Sequence, residues 1–168
     1  MGGAGGQNSV CAFILSRLDY CNCLLAGCPQ FLLDRLQKVQ NAAARLICRA
    51  KQQQQQQKLD HVQPILQSLH WLPIRARIQY KISKLCFNVI TGTGPQYLSE
   101  LLHPYTPSRD LRSSADTRIL KIPLSNSKAF GQRSFSHVGP STWNCLPYSL
   151  RHSDSQVSVR RAFFQQSF

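Results

Sequence analysis

The chain is short of acid: seven Asp and Glu stand against 20 Lys and Arg, leaving a formal charge of +13 at neutral pH. The carboxylates Asp19, Asp34, Asp60, Glu100, Asp110, Asp116 and Asp154 are scattered, with no paired aspartates. Two-metal nucleases and polymerases need carboxylates converging on ions roughly 4 Å apart, so that class of enzyme is not expected. Each acid reads instead as a surface or capping residue. A long apolar run is lacking too; nothing approaches the roughly 18 residues that span a bilayer, and no membrane partner is expected. MGGAGGQNSV puts no basic stretch ahead of CAFIL, which is too short for a signal core, so secretion is not expected. MGGAGG also lacks the lysine and the preceding strand of a phosphate loop. No cofactor and no small-molecule substrate is expected.

Cysteine occurs seven times, but in neither a disulfide nor a metal pattern. The odd count and irregular spacing predict reduced, mostly buried thiols. Cys21-Asn22-Cys23 is a C-x-C on a predicted helix, where the two side chains diverge by about 200°. Structural zinc sites favour C-x2-C or C-x4-C turns followed by a second pair, so no metal ligands are expected. His61, His70, His103, His137 and His152 could approach a thiol in space. Nothing selects one pair, and no catalytic residue is assigned.

What the sequence does carry is helix. A hydrophobic content of 42% in 168 residues is enough for one domain with a real core. VCAFILSRLDYCNCLLAG, closed by Gly27 and Pro29, predicts a helix over 9–26. In PQFLLDRLQKVQNAAARLICRA, at about 100° per residue, Leu32, Leu36, Val39, Ala43, Leu46 and Ile47 share one face. Arg35, Lys38, Arg45 and Arg49 fall together beside it. KQQQQQQK has no means of packing into a core and reads as a solvated insert. In LHWLPIRARIQYKI, Pro73 suits a first helical turn and Trp71 or Leu72 can fold back as a hydrophobic staple. A helix then runs from Ile74 to about Ile90, with Ile74, Ile78, Ile82, Leu85 and Val89 on one face and Arg77, Lys81 and Lys84 on a neighbouring one. Thr91-Gly92-Thr93-Gly94-Pro95 ends it.

A short helix around 96–102 precedes the loop HPYTPSRDLRSSADT. RILKIPL alternates like a strand to which KAFGQRSFSHV could return, and Gly139-Pro140 opens a short apolar turn, STWNCLP. Residues 155–168 make a last amphipathic helix. The expected fold is mainly α, a helical bundle with room for one small β-hairpin near residues 117–138. Its organisation reads as a flexible N-terminus over 1–8, a two-helix segment over 9–50, a Gln-rich insert over 51–58 and a helical C-terminal region over 59–168 with a loop at 103–116. These make one domain or a fragment of a larger one.

The basic stripes contain almost no acids, where a solvated face usually mixes both signs. They read either as solvated faces whose stems snorkel over the core edge or as phosphate-tracking surfaces, since each neutralised phosphate releases counterions and adds affinity. The candidate nucleic-acid contacts are Arg35, Lys38, Arg45, Arg49, Arg77, Lys81 and Lys84. Tyr80, Tyr97, Tyr105, Trp71 and Trp143 could stack on bases, although both tryptophans sit beside leucine and proline at helix starts and fit a core role.

Several blocks then carry a resemblance: SRLDYCNCLLAG, LQKVQNAAARLI, DHVQPILQSLHWLPIRARIQYKI, GTGPQYLSELLHPYTPSRDLRSS, KAFGQRSFSHVGPSTWNCLP and SVRRAFF. In that order they resemble the C-terminal end of the open reading frame of non-LTR retrotransposons, long interspersed elements whose endonuclease is followed by a reverse transcriptase. The resemblance covers nearly the whole chain from about residue 10. It places the chain downstream of the polymerase palm, at or beyond the thumb. Neither the Tyr-x-Asp-Asp block nor the endonuclease motifs occur, so the resemblance implies a noncatalytic piece that helps hold template RNA or target DNA. A nuclear or cytoplasmic site would follow from the family's behaviour. The glutamine run at 52–57 replaces what in the family looks like a short polar link before the DH motif, and the MGGAGG start has no counterpart there. The alternatives are a packing module that docks on the polymerase domain of a parent element, leaving Phe31, Phe87, Phe163 and Phe164 exposed in isolation, or a nonfunctional remnant of such an element.

Overall fold

The computed structural model describes residues 12–52 (side chains as far as 48), 61–107, 118–125, 127, 131–153 and 155–168. It is mainly helical. Helix α1 covers residues 12–19 and gives way to a single 3-10 turn, Asn22–Leu25. The long helix α2 is Gln30–Gln52, α3 is Val62–Ser68, α4 is Ile74–Ile90 and α5 is Gln96–Ser99. After a 3-10 turn at Gly131–Arg133 come α6, Phe135–Asn144; α7, Tyr148–Arg151; and α8, Gln156–Ser167. The glutamine run beyond Gln52, the N-terminal segment 1–8 and most of the 103–116 loop lie outside the described residues.

The bundle is organised around α4. Ile74, Ile78, Ile82, Cys86 and Phe87 are buried together with Leu72, Leu102, Leu120, Trp143, Leu146, Val159 and Phe163. Partly buried Leu18, Leu33 and Leu36 join this core from α1 and α2. Packing against α6 is tight, since a Cβ on Gly139 would stand 3.3 Å from Cys86 Sγ and 3.4 Å from Leu102 Cδ2. Glycine is what lets the two helices meet there. A second, smaller core joins Ala43, Ala44 and Ile47 of α2 to Ile65 and Leu66 of α3, closed by Trp71. Consecutive residues Trp71 and Leu72 thus enter different cores, and the link before α4 stitches the two together.

Two glutamines of α2, Gln40 buried and Gln37 partly so, set the start of α4. Gln40, fully buried, donates through Nε2 to the Leu72 carbonyl at 2.9 Å. Gln37 accepts from the Ile74 amide at 2.9 Å and donates to Gln40 Oε1, also at 2.9 Å. Pro73, at the N-cap, offers no side-chain acceptor, so Gln37 supplies the missing partner from another helix.

Several expectations need correction. The helix expected over 9–26 breaks at Cys21, whose φ of 50° is left-handed, and Asn22 turns inward to be buried. The core face of α2 is rotated: Leu33, Leu36, Gln40, Ala43, Ala44 and Ile47 face inward, while Leu32, Val39 and Leu46 are exposed. The reason is the Gln37–Gln40 clamp, which turns a polar pair toward α4 where the apolar spacing alone would have put leucines. Gly139-Pro140 does not open a turn; both lie inside α6. The helix expected over 96–102 stops at Ser99.

No hairpin forms near 117–138 among the described residues, because Phe135–Val138 belong to α6. Leu120 instead bridges antiparallel to Pro104, with the Tyr105 amide donating to Ile119 O at 2.9 Å and Lys121 N to His103 O at 2.8 Å. On the opposite side the Asn144 amide takes both backbone groups of Leu120, accepting from its N–H at 3.0 Å and donating to its carbonyl at 2.8 Å. The fully buried Trp143 donates to Arg118 O at 2.7 Å. The alternation of RILKIPL is therefore used, with a loop and one side chain as its neighbours.

The thiols are less buried than their spacing predicts. Cys21, Cys23, Cys28, Cys86 and Cys145 are free, and among them only Cys86 is buried, while Cys21 and Cys145 are exposed. Burial pushes the Cys86 thiol up to about 12 and also raises that of Cys23. In the unfolded chain Cys86 ionises near its ordinary 9.0, whereas in the fold it stays protonated to about pH 12. The stabilisation is complete below pH 9 and is lost as pH rises above it, by up to about 1.4 kcal/mol per pH unit. We expect urea midpoints to fall across that window, and the fall to be smaller in Cys86→Ala measured against its own midpoint at pH 8. Replacing Gln40 by Ala strands the Leu72 carbonyl and should cost about 1–3 kcal/mol in urea denaturation.

Candidate nucleic-acid interface

On α4, at about 100° per residue, Arg77, Lys81 and Lys84 lie within a sector of about 60°. This strip faces a cleft of about 230 Å³ lined by Asp19, His70, Leu72, Arg77, Tyr80, Lys81, Lys84 and Arg160. The cleft is built by α1, the link before α4, α4 itself and α8. Helix α8 is held there by its Ser155 cap, which accepts from Val157 N at 3.2 Å, and by a Gln156 Nε2 hydrogen bond to Asn88 Oδ1 near the end of α4.

Arg77 plays a different part from its neighbours. Its Nη1 meets Asp19 Oδ2 at 2.7 Å, with 14% of the arginine side chain and 40% of the aspartate exposed. Asp19 Oδ1 also accepts from the buried Asn22 amide at 3.3 Å. Arg77 Nε is buried without a partner among the described residues. The pair ties α1 to α4 and neutralises Asp19, the one carboxylate that lines the cleft among the described residues. Among the described residues Lys81, Lys84 and Arg160 remain as uncompensated cations around the cleft, an arrangement suited to an anion.

Two rings complete the wall. Tyr80 meets Phe163 edge-on at 6.0 Å between centroids, and His70 lies tilted against Phe164 at 5.4 Å. Consecutive phenylalanines of α8 therefore brace both rings. His70 ends α3 in a Schellman arrangement: Trp71 N donates to Leu66 O at 2.8 Å and His70 N to Gln67 O at 3.0 Å. This leaves His70 at φ 54°, a left-handed position usually given to glycine. Histidine there costs roughly 1–2 kcal/mol.

The other sequence candidates go elsewhere. Arg35, Lys38 and Arg45 are exposed on the outer face of α2 and do not line the cleft. The Arg49 side chain lies outside the described residues. Of the aromatic candidates, Trp71 and Trp143 are buried in the cores, Tyr97 and Tyr105 are exposed, and Tyr80 alone faces the cleft. Arg160 and His70 were not among the sequence candidates for binding. Arg160 could have been found as a cation on the amphipathic helix predicted over 155–168, but the left-handed placement of His70 has no signature in QSLHWLP.

No helix among the described residues is long and apolar enough to cross a membrane. Among the same residues no group of three or more His, Cys, Asp or Glu is placed to hold a metal ion. No family model, curated protein or solved structure matches the chain.

The geometry separates a structural arginine from surface lysines. Asp19→Ala leaves the guanidinium of Arg77 poorly compensated and should lower stability by about 1–2 kcal/mol in thermal denaturation. Lys81→Gln and Lys84→Gln should stay within about 0.5 kcal/mol of the parent.

Proposed function

We propose that this chain is a noncatalytic nucleic-acid-holding module, of the kind expected downstream of a long-interspersed-element reverse transcriptase palm, which grips RNA or DNA backbone without sequence preference. The observation that carries this reading is the convergence of Lys81, Lys84 and Arg160 on one cleft whose only lining carboxylate among the described residues is already paired with Arg77. Backbone contacts from point charges hold phosphate but carry no sequence information. Arg35, Lys38 and Arg45, exposed on α2, give a second cationic surface on which a longer strand could continue.

A second reading is favoured by one specific observation. Phe31, Leu32, Val39 and Leu46 form an exposed apolar strip along α2, with Phe31 63%, Val39 53% and Leu46 61% exposed. A strip of this kind fits docking against a parent polymerase domain. The other phenylalanines expected to be left open do not support it: Phe87 and Phe163 are buried in the main core, and Phe164 is partly buried against it.

The test is binding of the purified, folded chain to single-stranded RNA and to duplex DNA across a salt series. Under the first reading log affinity falls linearly with log salt. Changing Lys81, Lys84 and Arg160 together to Gln should then reduce the single-strand slope by about 2, since each phosphate contact contributes about 0.7. Folded protein with no salt-dependent binding would leave the docking reading in its place.

A further inference from the structure

We infer that the cleft receives one nucleotide of a single strand, its phosphate on Lys81, Lys84 and Arg160 and its base against the rings of His70 and Tyr80, so that the protein discriminates single strands from duplex. This rests on the nucleic-acid reading above and goes beyond it in assigning a base-contacting residue and a strand preference.

Three observations converge. The first is size: about 230 Å³ is smaller than the roughly 300–1,000 Å³ of pockets that enclose a whole drug-sized ligand, and suits one unit of a polymer entering from solvent. The second is the wall. Cations and rings line the same cleft, and the rings are braced from behind by Phe163 and Phe164. Stacking platforms for single strands combine those elements, because every unpaired base has a π-face to offer, whereas bases in a duplex are already stacked on one another. The third is strain. The chain keeps histidine at a left-handed φ of 54°, where glycine would close the same Schellman turn without cost. Strain held at a position that lines a cleft points to a use for the side chain, and the exposed imidazole contributes no hydrogen bond to the fold among the described residues.

The strain also supplies the test. His70→Gly and His70→Asn both accept the left-handed conformation and remove the imidazole while leaving every cation in place. The full chain and both variants are titrated with a mixed-sequence single-stranded DNA oligonucleotide and with its duplex, at several salt concentrations, and are followed by thermal denaturation. The expected result is a melting temperature equal to or above the parent's in His70→Gly, single-strand affinity reduced about tenfold in both variants, and duplex affinity and salt slopes unchanged. Single-strand affinity that survives in both variants, or falls equally for single strand and duplex, overturns the assignment of His70 while leaving backbone binding standing. Parent protein that binds neither probe overturns the nucleic-acid reading itself.

Discussion

Where α4 begins is decided by two side chains of a different helix. A helix start leaves amide groups without intrahelical partners, and the proline before Ile74 can offer none. Gln37 accepts from Ile74 N, Gln40 donates to Leu72 O, and the two glutamines bond to each other. Because Gln40 is fully buried, a shift of α2 against α4 by one residue would strand polar groups away from water. One register is therefore selected. That register fixes the direction in which Arg77, Lys81 and Lys84 leave the helix, and with it the cleft they share with α8.

The same two glutamines explain what the sequence concealed. Helix α4 was legible nearly to the residue, since its Ile74, Ile78, Ile82 spacing and the Gly-Pro stop after it are local signals. The extent of α2 was legible too, but its orientation was not: the apolar spacing of Leu32, Val39 and Leu46 pointed inward, and the hydrogen-bonded Gln37–Gln40 pair turned it out. Hydrophobic periodicity treats a glutamine as surface and has no means of seeing a partner more than thirty residues away. Asn144 misled in the same manner at Leu120, where a side-chain amide took the place of a strand. The strip on α4 could be seen in advance, whereas the cleft needed α8 folded back to bring in Arg160.

The composition counts every arginine and lysine alike, but the fold divides them. Arg118 donates to the carbonyl of Arg151, and Arg151 to those of Asn144 and Leu146, so both guanidinia close off carbonyls near helix ends. Arg77 is spent on Asp19, and Arg133 Nη2 lies 3.0 Å from Cys28 Sγ. The forked guanidinia of Arg77, Arg118 and Arg151 serve the fold's own oxygens, while Lys81, Lys84 and Arg160 face the cleft. A large positive charge is thus partly a means of holding backbone carbonyls, and only the remainder faces the cleft and solvent.

The amide of Asn144 has a consequence for how the chain behaves in company. An extended segment with unbonded N–H and C=O groups is a template on which another chain can add a strand. At 119–121 one side is taken by the backbone of His103 and Tyr105 and the other by a single side chain. The segment is in effect the middle strand of a sheet whose third member is one residue wide. It therefore presents no open edge for self-templated growth, even with Ile122 and Leu124 exposed immediately beside it.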